Sequence, residues 1–233
     1  MAAKRSGEQL SFSIAGRDAA AGLPQLRPML PLPAEAPFDD PEWFFEPWWP
    51  GASVLLYLEA GQLRLQTEHL ADPLQAFPEL RDIGRHFADD GLIVEGALLV
   101  LDDEGRPDAD LLRRRLAAEG TGDRRGQPAI VCSDLLFERG HSLLGLPFGR
   151  RRDRLAVQLA DGERVVISRG LRGEGLTLAD ALASMGLHEI SARQLSGRYR
   201  PGQQDAAWLR LPVSETPAVH ARPLLAVLQR LPL

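Results

Sequence analysis

The chain has 233 residues, 44% hydrophobic and 25% charged, enough for one large domain or two small ones with a sizeable core. Net charge is −5 and the pI about 5.6, which excludes a globally basic, polyanion-coating protein. A lone cysteine, Cys132, excludes an internal disulfide, and no apolar run is long enough for a signal peptide or a membrane span, so a cytoplasmic protein without a membrane partner is expected. Of the 27 basic residues only Lys4 is a lysine. Arginine-biased coding accounts for most of that skew, but not for the loss of a lysine that chemistry requires.

In chain order, residues 1–22 read as a disordered tail and Leu23 to Pro50 as irregular, proline- and aromatic-rich wrapping. Val54–Glu59 and Gln62–Thr67 form a hairpin turning at Ala60-Gly61. Leu74–Asp89 carries a helical stripe (Leu74, Phe77, Leu80, Ile83, Phe87), and Leu92–Leu101 is a bent strand or strand pair. Asp108–Glu119 is a helix capped by Asp108, followed by a surface loop over Glu119–Gln127. Ala129–Phe137 is a buried strand, and the run after Gly140 leads into a basic helix. Arg164–Ser168 is a strand and Thr177–Met185 a helix capped at or just before Thr177. His188–Gln194 and Trp208–Leu211 are strands, and Arg222–Leu231 is a short amphipathic helix. Strands and helices that mix without strict βαβ alternation predict an α+β domain over 23–213, with residues 214–233 as a tail.

Several stretches recur in the order and at the spacing of one family: PMLPLPAEAPFDDPEWFFEP, FPEL at 77–80, VEGALLVLDDEGRPD, SDLLFERGHSLLGLPFGRRR and YRPGQQDAAWLR. From Leu23 to Val213 the chain resembles the adenylation (nucleotidyltransferase) domain of bacterial ATP-dependent DNA ligases, of the ligase D type used in end joining. The resemblance implies an ATP-grasp-like arrangement of antiparallel sheets flanked by helices. It also implies ATP and magnesium as cofactors, and a lysine nucleophile that takes AMP from ATP.

The same resemblance places non-functional residues at the chemical positions. In Glu46-Pro47-Trp48-Trp49-Pro50-Gly51-Ala52-Ser53, Trp48 stands at the lysine, Pro50 at the aspartate and Ser53 at the arginine. Ala97 replaces the glutamate of D-G-E, and Ser133 the ring that stacks on adenine. His188 and Arg193 stand at the glutamate and lysine of L-E-G-V-V-A-K-R; Arg210 and Pro212 stand at the lysines of W-L-K-V-K. An indole offers only an N–H donor and is no nucleophile. The reading is therefore a catalytically empty site at Trp48, Pro50, Ala97, His188 and Arg210, with a vestigial pocket of Glu46, Trp48, Ser133, Arg193 and Arg210. No cofactor and no metal are expected. Residues 214–233 are too few for the oligonucleotide-binding barrel that follows this domain in ligases.

What persists belongs to turns, strands and packing. Trp43, Phe44, Phe45, Trp48 and Trp49 are expected to fill the core rather than to stack bases. His188 and Glu189, as strand neighbours, point to opposite faces and form no pair. Cys132 is expected to be a buried, inert thiol.

Arginines carry the remaining signal. Arg139–Arg154 holds five, plus His141, against Asp153, and His188–Arg210 holds four against Glu189 and Asp205. Arg150, Arg151, Arg152, Arg154, Arg198 and Arg200 are the DNA-contact candidates if the two clusters share a face; the alternative is a solvated helix face with i,i+4 pairing. The expected function is a ligase-like module of DNA repair that binds double-stranded DNA or a partner, an end-joining protein or intact ligase. The alternatives are a working nucleotidyltransferase with a non-lysine nucleophile, or a regulatory subunit that never touches DNA. None of His69, His86, His141, His188 or His220 falls where the nucleophile belongs.

Overall fold

A computed structural model describes residues 22–68, 70–117 and 124–213. Residues 1–21 of the expected tail with Lys4, His69, most of the 119–127 loop, and the 214–233 tail with its helix and His220 lie outside the described residues.

Two sheets carry the fold. The first contains β1 (Leu30–Pro33), β2 (Asp39–Pro47), β9 (Leu171–Glu174), β10 (Glu189–Gln194) and β11 (Gln204–Pro212), in the order β1-β11-β10-β2-β9. The second contains β3 (Ala52–Glu59), β4 (Gln62–Gln66), β5 (Leu92–Leu101), β6 (Gln127–Glu138) and β7 (His141–Ser142), in the order β4-β3-β5-β6-β7, with β8 (Val165–Ile167) alongside β6. Pairing is antiparallel except for β1 with β11 and β6 with β8, so the expected antiparallel architecture holds with two parallel additions.

Strand β3 shows why the second sheet forms. Its run VLLYL is apolar without alternation, which suits a strand covered on both faces. Val54, Leu56 and Leu58 pack with Phe77, Leu80, Ile83 and Leu155. Leu55 and Tyr57 pack on the opposite side with Leu26, Met29, Tyr199 and Trp208. A third cluster fills the space between the sheets: Phe45, Ile190 and Leu211 from the first, with Trp49 just after β2, meet Leu99 and Val131 from the second. The helix α4 (Gly175–Ser184) closes it with Leu178 and Leu182.

Three expectations need correction. The region expected as irregular wrapping forms β1 and β2, its strand character hidden by prolines tolerated at edges and strand ends. The stripe at 74–89 is buried as expected but is not one α-helix. A single turn, α1 (Pro73–Ala76), passes into a 3-10 helix over Pro78–His86, because Pro78 lacks an N–H and forces Phe77 out of the α region. Of the two readings of 92–101 the bent strand is found, with bulges at Ile93/Val94 and Glu95/Gly96. The helix expected from Thr177 begins at Gly175, and Asp39 of β2 accepts from its Leu176 N–H at 2.9 Å. That cap lies far off in sequence, so no local reading finds it. The helix α2 (Ala109–Ala117) is capped as expected, with the Asp108 carboxylate accepting from the N–H groups of Asp110 (2.8 Å) and Leu111 (2.9 Å).

Candidate functional site: a filled cleft between the sheets

The strand pairs β2–β10 and β10–β11 set Glu46 opposite Ser191 and Arg193 opposite Trp208. Across from them, the bulge in β5 and the adjacent β6 deliver Glu95, Ala97 and Ser133. Gly96 lets the β5 and β6 backbones close up, since a Cβ there would lie 2.4 Å from the Val131 carbonyl oxygen. The expected pocket residues Glu46, Trp48, Ser133 and Arg193 do meet in one cleft, with Ala97 beside them. Its open volume is about 80 Å³, well below the roughly 300–1,000 Å³ of ordinary ligand sites.

Side chains occupy the remaining space. Arg210 lies over the Trp48 ring at 4.5 Å, the Trp48 and Trp208 rings are 6.2 Å apart, and Arg193 lies over Trp208 at 3.8 Å. The result is a ladder of guanidinium, indole, indole and guanidinium, each cation on an electron-rich ring face. Trp208 is further held by its indole N–H, which donates to Ser191 at 2.9 Å. Trp49 donates to Ser168 at 3.1 Å and is buried, as are Phe44 and Phe45, whereas Trp48 and Trp43 are only half-buried. The aromatics thus pack as expected, with Trp48 at the margin.

Below the ladder lies a charge cluster that the sequence reading missed. Glu46, Glu95 and Asp134 are 2%, 2% and 0% exposed, and Arg151, Arg152 and Arg193 are 2%, 6% and 5% exposed. Arg151 binds Asp134 bidentately through Nε and Nη2 at 2.8 Å each. Arg193 donates to Glu95 at 3.0 Å, to Asp134 at 3.2 Å and to the Ser133 hydroxyl at 3.3 Å. Tyr199 donates to Glu95 at 2.8 Å. Burial pulls the Arg193 guanidinium down, but Glu95, Glu46 and Asp134 outweigh it and hold Arg193 above its ordinary value. The available signal was one acid inside each of two apolar strands, LIVEGALLV and AIVCSDLLF, because an unpaired buried carboxylate is too costly to persist.

Burial also pushes the Glu95 carboxyl above its ordinary value, despite the pull of Arg193. A carboxyl with a raised folded pKa binds more protons folded than unfolded, so stability falls as pH rises from its unfolded value of 4.5. Glu95→Gln is expected to flatten that fall above pH 4.5, read as the change in melting temperature with rising pH. A slope equal to that of the unmodified protein would contradict it.

Of the other expected positions, Ser53 lines the cleft but is exposed, Pro50 and His188 are exposed and do not line it, and Arg210 covers Trp48 and pairs with Glu189. No group of three or more histidine, cysteine or acidic side chains able to hold a metal occurs among the described residues. Cys132 is fully buried, and burial pushes its thiol far up.

The shared arginine face is a further correction. Arg151 and Arg152 turn inward from α3 (Phe148–Gln158) into the charge cluster, because their helix positions face β6 and β2. Arg154 is half-exposed and paired with Glu138. Arg200 is exposed but tied to Asp205 at 2.6 Å. Arg150 and Arg198 remain exposed.

Two sheets enclosing a cleft between them are the architecture of the nucleotidyltransferase fold. No family model matches the chain. It is 27% identical over 169 residues to the multifunctional non-homologous end joining DNA repair protein LigD of Mycobacterium tuberculosis, covering 72% of this chain and 21% of that protein. The SPbeta prophage-derived DNA ligase-like protein LigB of Bacillus subtilis is 24% identical over 185 residues, 79% of this chain and 66% of that one. Among solved structures, mycobacterial DNA ligase D complexed with ATP and MES superposes with a TM-score of 0.69 at 25% identity, over 80% of this chain and 60% of that one. The chain is thus a homologue of the adenylation domain of ATP-dependent DNA ligases, with relatives among the end-joining proteins. It spans about a fifth of the length of the LigD proteins it matches. No described helix is long and apolar enough to cross a membrane.

Proposed function

We propose that this chain is a ligase-like module of DNA repair that does not adenylate itself and that contacts duplex DNA. The ladder Arg210–Trp48–Trp208–Arg193 supports the reading: it fills the cleft between the sheets, and Trp48 stands where the motif resemblance puts the nucleophilic lysine. Arg193, at the position of a phosphate-binding lysine, spends its N–H groups on Glu95, Asp134 and Ser133, leaving little to offer a phosphate. Ala97 and His188 supply no paired carboxylates for magnesium. ATP and magnesium therefore fit the residues present poorly, and no catalytic step is assigned through them.

Two measurements test the two halves. Mass spectrometry after incubation with ATP and magnesium or manganese is expected to show unmodified protein; a stable gain of one AMP refutes the first half. Fluorescence anisotropy with a labelled duplex is expected to show sequence-independent binding that weakens steeply with added salt, as counterions are released. Absence of binding even at low salt would favour a partner-only subunit.

Removal of Arg150 and Arg198 is expected to flatten the salt dependence while leaving the melting temperature nearly unchanged, because both are exposed. An unaltered salt slope would exclude them as phosphate contacts.

A further inference from the structure

The largest opening among those described is not the cleft between the sheets. A groove of about 670 Å³ runs between α3, strand β9 and the loop after β10, and shares no lining residue with the cleft. Its volume falls within the range of small-molecule sites. Three arginines line it, Arg150 and Arg152 from α3 and Arg172 from β9, against one acid, Asp153. Arg150 and Asp153 are both exposed and only 4.0 Å apart at closest, so that pair is loose. Arg172 is exposed and anchored through Nε to the Pro41 carbonyl at 3.0 Å, and no carboxylate lies within salt-bridge distance of it among the described residues.

Arg152 is the third, and it is 6% exposed. Its Nη2 donates to the Ser168 carbonyl, but Nε and Nη1 have no hydrogen-bond acceptor. The nearest carboxylate oxygen, Glu46 Oε2, is 3.6 Å from Nη1, and Glu46 Oε2 likewise lacks a donor. Burial presses the Arg152 guanidinium below its ordinary value, as expected of a cation that its surroundings compensate incompletely. An anion in the groove would be reached by Arg150 and Arg172 from opposite walls, with the incompletely compensated charge of Arg152 buried behind it rather than in contact. Most of the remaining lining is apolar, with Phe44, Pro147, Ala156, Ile167 and Leu195 beside two glycines and Ser196. That combination suits a phosphate carried on a sugar or base rather than a bare, fully hydrated ion.

We infer that the groove between α3 and β9 binds the phosphomonoester of a nucleotide, free or at the 5′ end of a DNA strand. Guanidinium groups favour phosphate because their planar forks donate in pairs to its oxygens. The inference does not depend on the duplex-binding reading, which concerns internal phosphodiesters; Arg150 figures in both, whereas Arg172 belongs to the groove alone and Arg198 lies outside it.

The test is amide NMR of the full chain titrated with AMP, adenosine and inorganic phosphate. It is repeated with a short single-stranded oligonucleotide bearing a 5′-phosphate or a 5′-hydroxyl. AMP is expected to move the amides of Gly149, Gly170 and Ser196, and adenosine is not. The double variant Arg150→Gln, Arg172→Gln, which leaves the buried charges intact, should weaken AMP about tenfold or more. A 5′-phosphorylated strand that binds more tightly than AMP identifies a DNA end as the source, and the reverse order a free nucleotide. Equal responses to AMP and adenosine, shifts confined to Gly96 and Ser133 in the other cleft, or a double variant that binds AMP unchanged would each overturn the inference. Loss of duplex binding in the anisotropy measurement would leave it standing.

Discussion

Arg151→Leu is expected to lower unfolding free energy by about 3–5 kcal/mol, the range for breaking a buried ion pair from one side. Asp134, wholly buried, would lose both charge-assisted bonds from Arg151 and keep only the 3.2 Å contact from Arg193. The same guanidinium donates to the carbonyls of Leu146 at 2.5 Å and Gly197 at 3.2 Å, so the substitution also loosens the start of α3 and the loop after β10. Arg150→Gln, one residue earlier on the solvent side, should change stability by no more than about 0.5 kcal/mol. Urea denaturation of the two variants decides the matter. Equal effects would mean that the buried cluster contributes nothing beyond an exposed arginine. This contrast also revises the design of any DNA-binding experiment: neutralising Arg150, Arg151, Arg152 and Arg154 together would test folding before it tested DNA.

Trp48→Lys is expected to leave the protein unadenylated. Restoring the amine restores neither the carboxylate at Ala97 nor the aromatic ring at Ser133, and the new ammonium would sit beside Arg210, which now covers the Trp48 ring at 4.5 Å. A like charge there disfavours a second cation, but the groups it needs to act on ATP are missing whatever its protonation. The expected loss of stability is about 1–2 kcal/mol rather than the several that a fully enclosed tryptophan would entail, since Trp48 is only half-buried. Mass spectrometry after exposure to ATP and a divalent cation, with a parallel thermal melt, checks both statements. An AMP adduct on Trp48→Lys would show that the pocket is intact and only its nucleophile missing, and would move the chain towards the working-enzyme alternative.

Much of the fold was readable in the residues. The hairpin at 54–66, the buried strand around Cys132, and the Asp108 cap follow from composition and local hydrogen bonding, and all three are found. The 74–89 stripe shows where local reading stops: its apolar spacing correctly marked what is buried, but Pro78 decided the helix type. The edge strand β1 is defined by its partner β11, and the start of α4 by a carboxylate from β2, neither of which has a local signature.

For the site, short motifs were enough to name Glu46, Trp48, Ala97, Ser133 and Arg193, and four strands bring them together at the cleft. What those residues do to one another follows from packing. A run of arginines reads the same whether it faces water or a buried carboxylate. The rotation of α3 against β6 sends Arg151 and Arg152 inward to Asp134 and Glu46 and leaves Arg150 outside. Likewise the ladder that fills the cleft joins residues from β10 and β11 to one just beyond β2. Long-range pairing sets those distances, and the same pairing opens the groove at the far side of α3. Sequence carries the chemistry of each side chain, whereas proximity between segments more than a hundred residues apart exists only once the sheets have closed.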